Sequence, residues 1–501
     1  MTADHALKDL REKLGELNDV AAALSILHWD QQTYMPPKAG EGRGKQIATL
    51  SALRHRMFVS SEISDLLSEL RGSIDSLAPD DRVLVEETAY DFDRATKLPE
   101  KFVQELAQTE SDAFEAWVKA KKGSNFSLFQ PHLEKLVDLQ RQKSDYLGYE
   151  GDPYNALLEI YERGMTAEKV AEVFTAIGKA QGDLVHAISE STQLHFPWLD
   201  QEWKQKGQWD FGMKILADIG YDLQAGRQDL SEHPFTTTFG FHDVRVTTRV
   251  HEDDLFSALM STLHEGGHAL YEQGFLEKDA RTPLAEAPSL GIHESQSRMW
   301  ENMVGRSLPF WEHYLPDLKT AFPGQLDSVT AQDVYRAINR VQRSLIRVEA
   351  DECTYNLHII LRFELERAML SGDLKVADLP GAWNEKMMKY LGVDVPDDAH
   401  GCLQDVHWSS ASFGYFPTYA LGNLYAAQLF EKIQEQIPNL WEGIGSGDFK
   451  PLLQWLREKV HCHGRRLTTP EIIRSATGSD LESGPYIEYL KKKYEPLYGI
   501  S

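Results

Sequence analysis

Cysteine is scarce in this chain. Cys353, Cys402 and Cys462 are the only three in 501 residues, odd in number and widely spaced. That pattern argues against a disulfide framework and suits free thiols in a reducing compartment, so a cytoplasmic location is expected. Long apolar runs are also missing: no stretch reaches the roughly eighteen apolar residues that a membrane helix needs. The opening segment carries Asp4, His5, Lys8, Asp9, Arg11, Glu12 and Lys13, with no apolar core resembling a signal peptide. Positive charge is in deficit, 52 Lys+Arg against 77 Asp+Glu, for a formal net charge of -25. A surface so negative repels phosphate backbones and anionic headgroups, which excludes nucleic acid and membranes as expected partners. No repeat, low-complexity tract or extended linker marks a separable module.

What the chain does have is helical periodicity. Leu7, Leu10, Leu14, Leu17, Ala21, Leu24 and Leu27 recur every three or four residues and predict one long amphipathic helix. Similar patterns run through 82–121, 129–147, 166–189, 330–371 and 424–436. The expected fold is therefore all-α. One segment departs from it: 235–250, FTTTFGFHDVRVTTRV, is rich in Thr, Val and Phe, with Gly240 at a turn. It reads as a short β-hairpin, and a strand edge there could bind an extended peptide by main-chain pairing. A purely structural hairpin is the plainer alternative.

Just after it comes His264-Glu265-Gly266-Gly267-His268, an H-E-x-x-H pattern. Positions i and i+4 share a helix face, so both imidazoles can converge on one ion while Glu265 sits beside its open position. Each glycine costs a helix about 1 kcal/mol against alanine, and their smallness would allow close approach by substrate or a neighbouring helix. By chance such a pattern arises on the order of a few times in a hundred chains of this length. A third ligand is what would raise it above chance. Glu272 lies eight residues from His264, about 12 Å along the axis at 1.5 Å per residue, too far to share the ion. Beyond the breaks at Pro283 and Pro288, a second helix begins near Ser289 and carries Glu294 on the border of its apolar face. Glu294 is the candidate third ligand, with His293 its competitor.

Several further motifs occur in order: Asp243–Thr247 (D-x-R-x-T), His293–Gln296 (H-E-S-Q), Ile346–Asp351 (I-R-x-x-A-D) and Gly401–Trp408 (G-x-x-Q-D-x-H-W). With the His264–His268 motif, the stretch Leu27–Asp30 and the run Phe413–Gly422, they cover nearly the whole chain. In these features the sequence resembles the thermostable (Taq-type) metallocarboxypeptidases. The resemblance implies an almost wholly helical fold with a small sheet beside the active site, a long deep groove over one Zn2+ per chain, and a homodimer. Co2+ or Mn2+ are possible substitutes for the zinc. It further implies release of single amino acids from peptide C-termini with broad specificity and poor action on C-terminal proline. Glu294 would be the third ligand, beside His264 and His268, and Glu265 the general base that becomes the general acid. The whole chain, 1–501, would form one catalytic unit: a helical N-terminal region (1–230), a zinc-binding core (231–423) and a helical C-terminal region (424–501). In many related zinc peptidases an acidic residue follows the ligand glutamate by four positions. Here that position is Arg298.

The expected chemistry is attack of zinc-activated water on the scissile carbonyl, with Glu265 taking the proton. Donors to the developing oxyanion would be His407 and a tyrosine, Tyr419 ahead of Tyr415. A core tyrosine satisfied locally is the plain alternative for either. The terminal carboxylate of a substrate calls for a guanidinium fork. Arg347 leads, against an i,i+4 pair with Asp351; Arg245 is the reserve, and Gln296 and Tyr415 complete the candidate substrate contacts. Asp405 and Asp243 either orient histidines or cap local structure. His461-Cys462-His463 reads as surface or loop, His28 as a core histidine, and His400 as a weak candidate for the cleft.

Overall fold

The leucine stripe folds as its period requires: Leu10, Leu14, Leu17 and Leu24 are buried along a helix spanning Ala3–Thr33 (α1). The computed structural model describes residues 2–500. Next come Gly40–Phe58 (α2), Ser61–Gly72 (α3) and Pro79–Lys97 (α4). Leu10 and Leu14 of α1 meet Leu67 and Leu70 of α3 and Leu84 and Val85 of α4 in a small core of their own. Glu100–Gly123 (α5), Gln130–Leu147 (α6), Tyr154–Leu158 (α7), Ala167–Glu190 (α8) and Gln205–Asp218 (α9) then lead into a sheet.

That sheet has three strands, not two. Gly226–Leu230 (β1) joins the hairpin of Thr236–Gly240 (β2) and Asp243–Thr248 (β3), in the order β1-β3-β2. β1 runs parallel to β3, and β2 antiparallel to it. The five residues of β1, GRQDL, are too short and polar to announce a strand, which is why periodicity misses it. Gly226 is needed there, because a Cβ would fall 2.1 Å from both Tyr221 Oη and the Val244 carbonyl oxygen. Val244 and Val246 are fully buried, on the sheet face that packs against Ser257–Glu272 (α10). Thr236 and Thr238 are opposite them in register and share that face. The other face carries Phe239 and Arg245, against Trp29 of α1.

After α10 the chain forms Leu290–Arg298 (α11), capped by Ser289 and continued as a π-helical turn over Met299–Val304. Leu308–Ala321 (α12), Ala331–Ile338 (α13), Tyr355–Ser371 (α14), Leu379–Leu391 (α15) and Pro417–Gln436 (α16) follow. Leu440–Ser446 (α17), Lys450–Lys459 (α18), Thr469–Thr477 (α19) and Gly484–Tyr498 (α20) complete the fold. With 69% of residues helical, the molecule is mainly α, as the periodicity predicts.

Two predicted helical runs are broken. The pattern over 82–121 splits at Leu98-Pro99, where proline cannot donate to the preceding turn. The pattern over 330–371 is interrupted between α13 and α14, where the backbone is pinned by side chains instead. Asp351 accepts from the amides of Gln342, Cys353 and Thr354, and Arg347 is drawn to Asp405. Tertiary bonds override helix propensity there. The expected boundaries at 230/231 and 423/424 follow no structural break: β1 precedes the first yet pairs with β3, and the second cuts through α16. The three cysteines are free.

Candidate metal centre

Two helices converge on one point. α10 presents His264 and His268 one turn apart, and α11 presents Glu294. Their closeness depends on glycine. A Cβ at Gly267 would stand 2.6 Å from the Gln296 carbonyl oxygen, so α10 and α11 meet backbone to backbone. At Gly422 of α16 a Cβ would lie 2.5 Å from Glu294 Cγ, so the glutamate is pressed between two helices.

Glu294 Oε2 lies 3.5 Å from His264 Nε2 and 3.3 Å from His268 Nε2. A tetrahedral ion with ligands at about 2.0–2.1 Å places its donor atoms roughly 3.3 Å apart. The three side chains form the His/Cys/Asp/Glu grouping with metal-ligand spacing among the described residues. Two imidazoles and one carboxylate, with a fourth direction left open, are the donor set of a catalytic rather than a structural divalent site. The residues therefore fit the metal.

The surroundings set their charge states. Burial opposes ionisation of Glu294, but Arg298, then His264 and His268, outweigh it and hold the carboxyl far below its ordinary range. Arg298 Nε donates to Glu294 Oε1 at 2.7 Å, which leaves Oε2 facing the histidines. His268 is pushed down to about 3 by burial and by neighbouring His293, so it is a neutral donor. His264 Nδ1 lies 2.9 Å from Glu301 Oε2, an orienting contact that fixes the ring. Glu301 in turn takes Arg298 at 3.2 Å and Arg306 at 3.3 Å. Glu265, the residue beside the first histidine, is raised by burial against the opposing pull of His264 and Thr236.

On the far side of the cluster, His407 Nε2 and Tyr419 Oη are 3.4 Å apart. Tyr415 packs edge-on against Tyr419 with ring centroids 5.4 Å apart. Burial raises Tyr419 well above the ordinary phenol value, so it stays a donor at neutral pH. Arg347, its side chain 8% exposed, does not pair with Asp351. Its Nη2 donates to Asp405 Oδ1 at 2.8 Å and its Nη1 to Tyr355 Oη at 3.0 Å. Arg362 shares the same carboxylate at 2.7 Å. Two guanidiniums on one carboxylate leave a net positive charge beside His407.

A family model described as "Carboxypeptidase Taq (M32) metallopeptidase" matches residues 9–494. The chain belongs to the M32 carboxypeptidase family. Carboxypeptidase 1 of Bacillus subtilis strain 168 is 40% identical, covering 98% of this chain and 98% of that protein. Thermostable carboxypeptidase 1 of Thermus thermophilus is also 40% identical, with both chains covered completely at 100%. The crystal structure of the M32 carboxypeptidase from Deinococcus radiodurans R1 superposes with a TM-score of 0.97 at 43% identity, covering 99% of this chain and 100% of that one. This M32 carboxypeptidase is accordingly a metallopeptidase and a hydrolase, acting on peptides with a divalent metal.

Not every expected site residue reaches the M32 centre. Gln296 is fully buried and its Oε1 is engaged by His461 Nε2 at 2.9 Å. Arg245 falls on the face of the sheet away from α10, chelated by Asp243 at 2.7 and 2.8 Å and lying over Trp29. Strand alternation puts it there, on the face opposite Thr236 and Thr238. His461 is fully buried, not superficial, with its ring 4.9 Å from that of Tyr271. His28, by contrast, is exposed, and His400 is an exposed partner of Asp397. His293 lies outside the His264–His268–Glu294 grouping and bonds His268 and Glu272. Sequence reasoning missed Glu301, Tyr355 and Arg362. Only Glu301 had a signal, since seven residues after Glu294 is two helical turns.

Proposed function

We propose that this M32 enzyme is a zinc carboxypeptidase that removes single amino acids from free peptide C-termini. The observation carrying the reading is Glu265 beside a His264–His268–Glu294 cluster of zinc-like spacing. Zinc held by His264, His268 and Glu294 would supply Lewis acidity, to acidify water and polarise a carbonyl. Glu265 then accepts the proton of the attacking water and returns it to the leaving amine. Thr236 Oγ1 donates to the Glu265 carboxylate at 2.7 Å. His407 and Tyr419, with Tyr415 beside them, supply neutral donors toward the developing oxyanion. Burial, aided by Arg347 and Arg362, lowers His407 to about 4, so it is uncharged at neutral pH.

End recognition falls to Arg347. The uncompensated positive charge of the Arg347–Arg362–Asp405 group suits a carboxylate, and the free outer edge of β2 suits the extended backbone leading to it. Broad side-chain tolerance, poor action on C-terminal proline, a deep groove, a single catalytic unit, a homodimer and a cytoplasmic location belong to the same reading. The test is one peptide offered with a free and with an amidated C-terminus. Laddering of the free form alone is expected; equal cleavage of both would point to an oligopeptidase. Glu265→Gln should retain zinc and lose turnover by at least about a thousandfold.

A further inference from the structure

Behind the metal cluster the imidazoles of His268 and His293 face each other, Nδ1 to Nδ1, at 2.5 Å. His268 turns its Nε2 toward Glu294 and the ion's position. A lone pair on that nitrogen leaves the ring proton on Nδ1, so His268 donates and His293 Nδ1 accepts. His293 then carries its own proton on Nε2, 2.7 Å from Glu272 Oε1. The remaining Glu272 oxygen accepts from Thr238 Oγ1 at 2.8 Å. Donation thus runs from His268 through His293 to the Glu272 carboxylate, which also accepts from a hydroxyl on β2 at the outer end of the chain.

A second hydroxyl of the same strand reaches the same helix. Thr236 Oγ1 lies 2.7 Å from Glu265 Oε2 and 3.0 Å from the Glu265 carbonyl oxygen. Strand alternation explains the pairing: positions 236 and 238 point to one face, and that face packs on α10. Along α10, Glu265 and Glu272 are two turns apart and share the face toward the sheet. Thr237, between the two threonines, belongs to the opposite face with Arg245.

We propose that β2 is the positioning strand of this active site. Thr236 sets the direction of the base Glu265, and Thr238, acting through Glu272 and His293, sets the tautomer and plane of the ligand His268. The proposal rests on the assignment of Glu265 as base and of His264, His268 and Glu294 as ligands. Neither threonine touches the reacting atoms; each works through a carboxylate of α10. Hydroxyl and methyl are both available in Thr, so Val removes only the hydrogen bond and Ser only the methyl.

The experiment compares Thr236→Val, Thr238→Val, Glu272→Gln and the two Thr→Ser variants. Zinc affinity of the metal-free protein is read by competition with a chromophoric chelator, and kcat and KM at saturating zinc. Thr238→Val and Glu272→Gln should weaken zinc binding by about tenfold or more, with Thr238→Ser restoring it. Thr236→Val should leave zinc affinity within about threefold and lower kcat at least tenfold at constant KM, with Thr236→Ser restoring kcat. Wild-type zinc affinity in Glu272→Gln, or wild-type kcat in Thr236→Val, would overturn the proposal. So would serine variants that behave like the valine ones, since that would mark the methyl's packing as what matters. Zinc affinity is measured without substrate, so this arm stands or falls independently of which peptide bond the enzyme cuts.

Discussion

Position 298 is where many related zinc peptidases carry an acidic residue, and here it is a partly buried arginine. Glu301, three residues on, meets His264 at 2.9 Å while Arg298 holds the back of Glu294. A carboxylate behind a metal-bound imidazole fixes its plane and raises its basicity. Glu301→Gln should therefore weaken zinc binding by about ten- to a hundredfold in chelator competition. At the other side, Arg347→Ala should cost about a hundredfold in kcat/KM on peptides with a free carboxylate. The loss should fall mainly in KM, and residual cleavage of an amidated peptide should be unchanged. A uniform loss on both peptides would mean that Arg347 supports the fold through Asp405 and not the substrate.

Between elements the decisive feature is how closely helices approach. Gly267 and Gly422 let α10 and α16 close on α11 from two sides, and Glu294 lies in the resulting slot. Gly422→Ala would place a methyl 2.5 Å from Glu294 Cγ, too close to be absorbed without moving the ligand. We expect a loss of about 1–3 kcal/mol in stability together with a measurable drop in zinc affinity. Gly182, in the interior of α8, has nothing within 4 Å of its would-be Cβ. Gly182→Ala should instead stabilise by about 0.5–1 kcal/mol and leave metal binding alone, which a paired thermal and chelator titration would check. The H-E-x-x-H spacing and the Ser289 start of α11 were legible from sequence because each is local. The gap between α13 and α14, and the third strand, were not. Both depend on partners distant in the chain: Asp405 for Arg347, and β3 for β1.

For the whole molecule, one part of the pH dependence comes from histidines buried without charge. Burial, with Arg457 and His293 nearby, depresses His461 to about 3, and burial with Arg362 and Arg347 holds His358 well below its ordinary value. A depressed folded-state value means that stability is present in full above about pH 6.5 and is lost as pH falls toward the folded value. At pH 5 the His461 contribution lost is about 2 kcal/mol. Metal-free His461→Gln should therefore lose less stability between pH 7 and pH 5 than the metal-free wild type, by about that amount in urea titrations. An equal loss in both would assign the acid sensitivity elsewhere. By itself the sequence determined the helical class, the family and the residues able to bind a metal, because periodicity, i,i+4 spacing and ordered motifs are properties of neighbours along the chain. Tertiary structure alone decided which polar groups surround those ligands. Gln296, Arg245 and His293 sit in the motifs yet bond His461, Asp243 and Glu272, while Glu301, Thr236, Thr238 and Arg362, outside the motifs, bond His264, Glu265, Glu272 and Asp405. A side chain's partner is fixed by which face its element turns toward which neighbour, and that is settled only when the helices and the sheet pack.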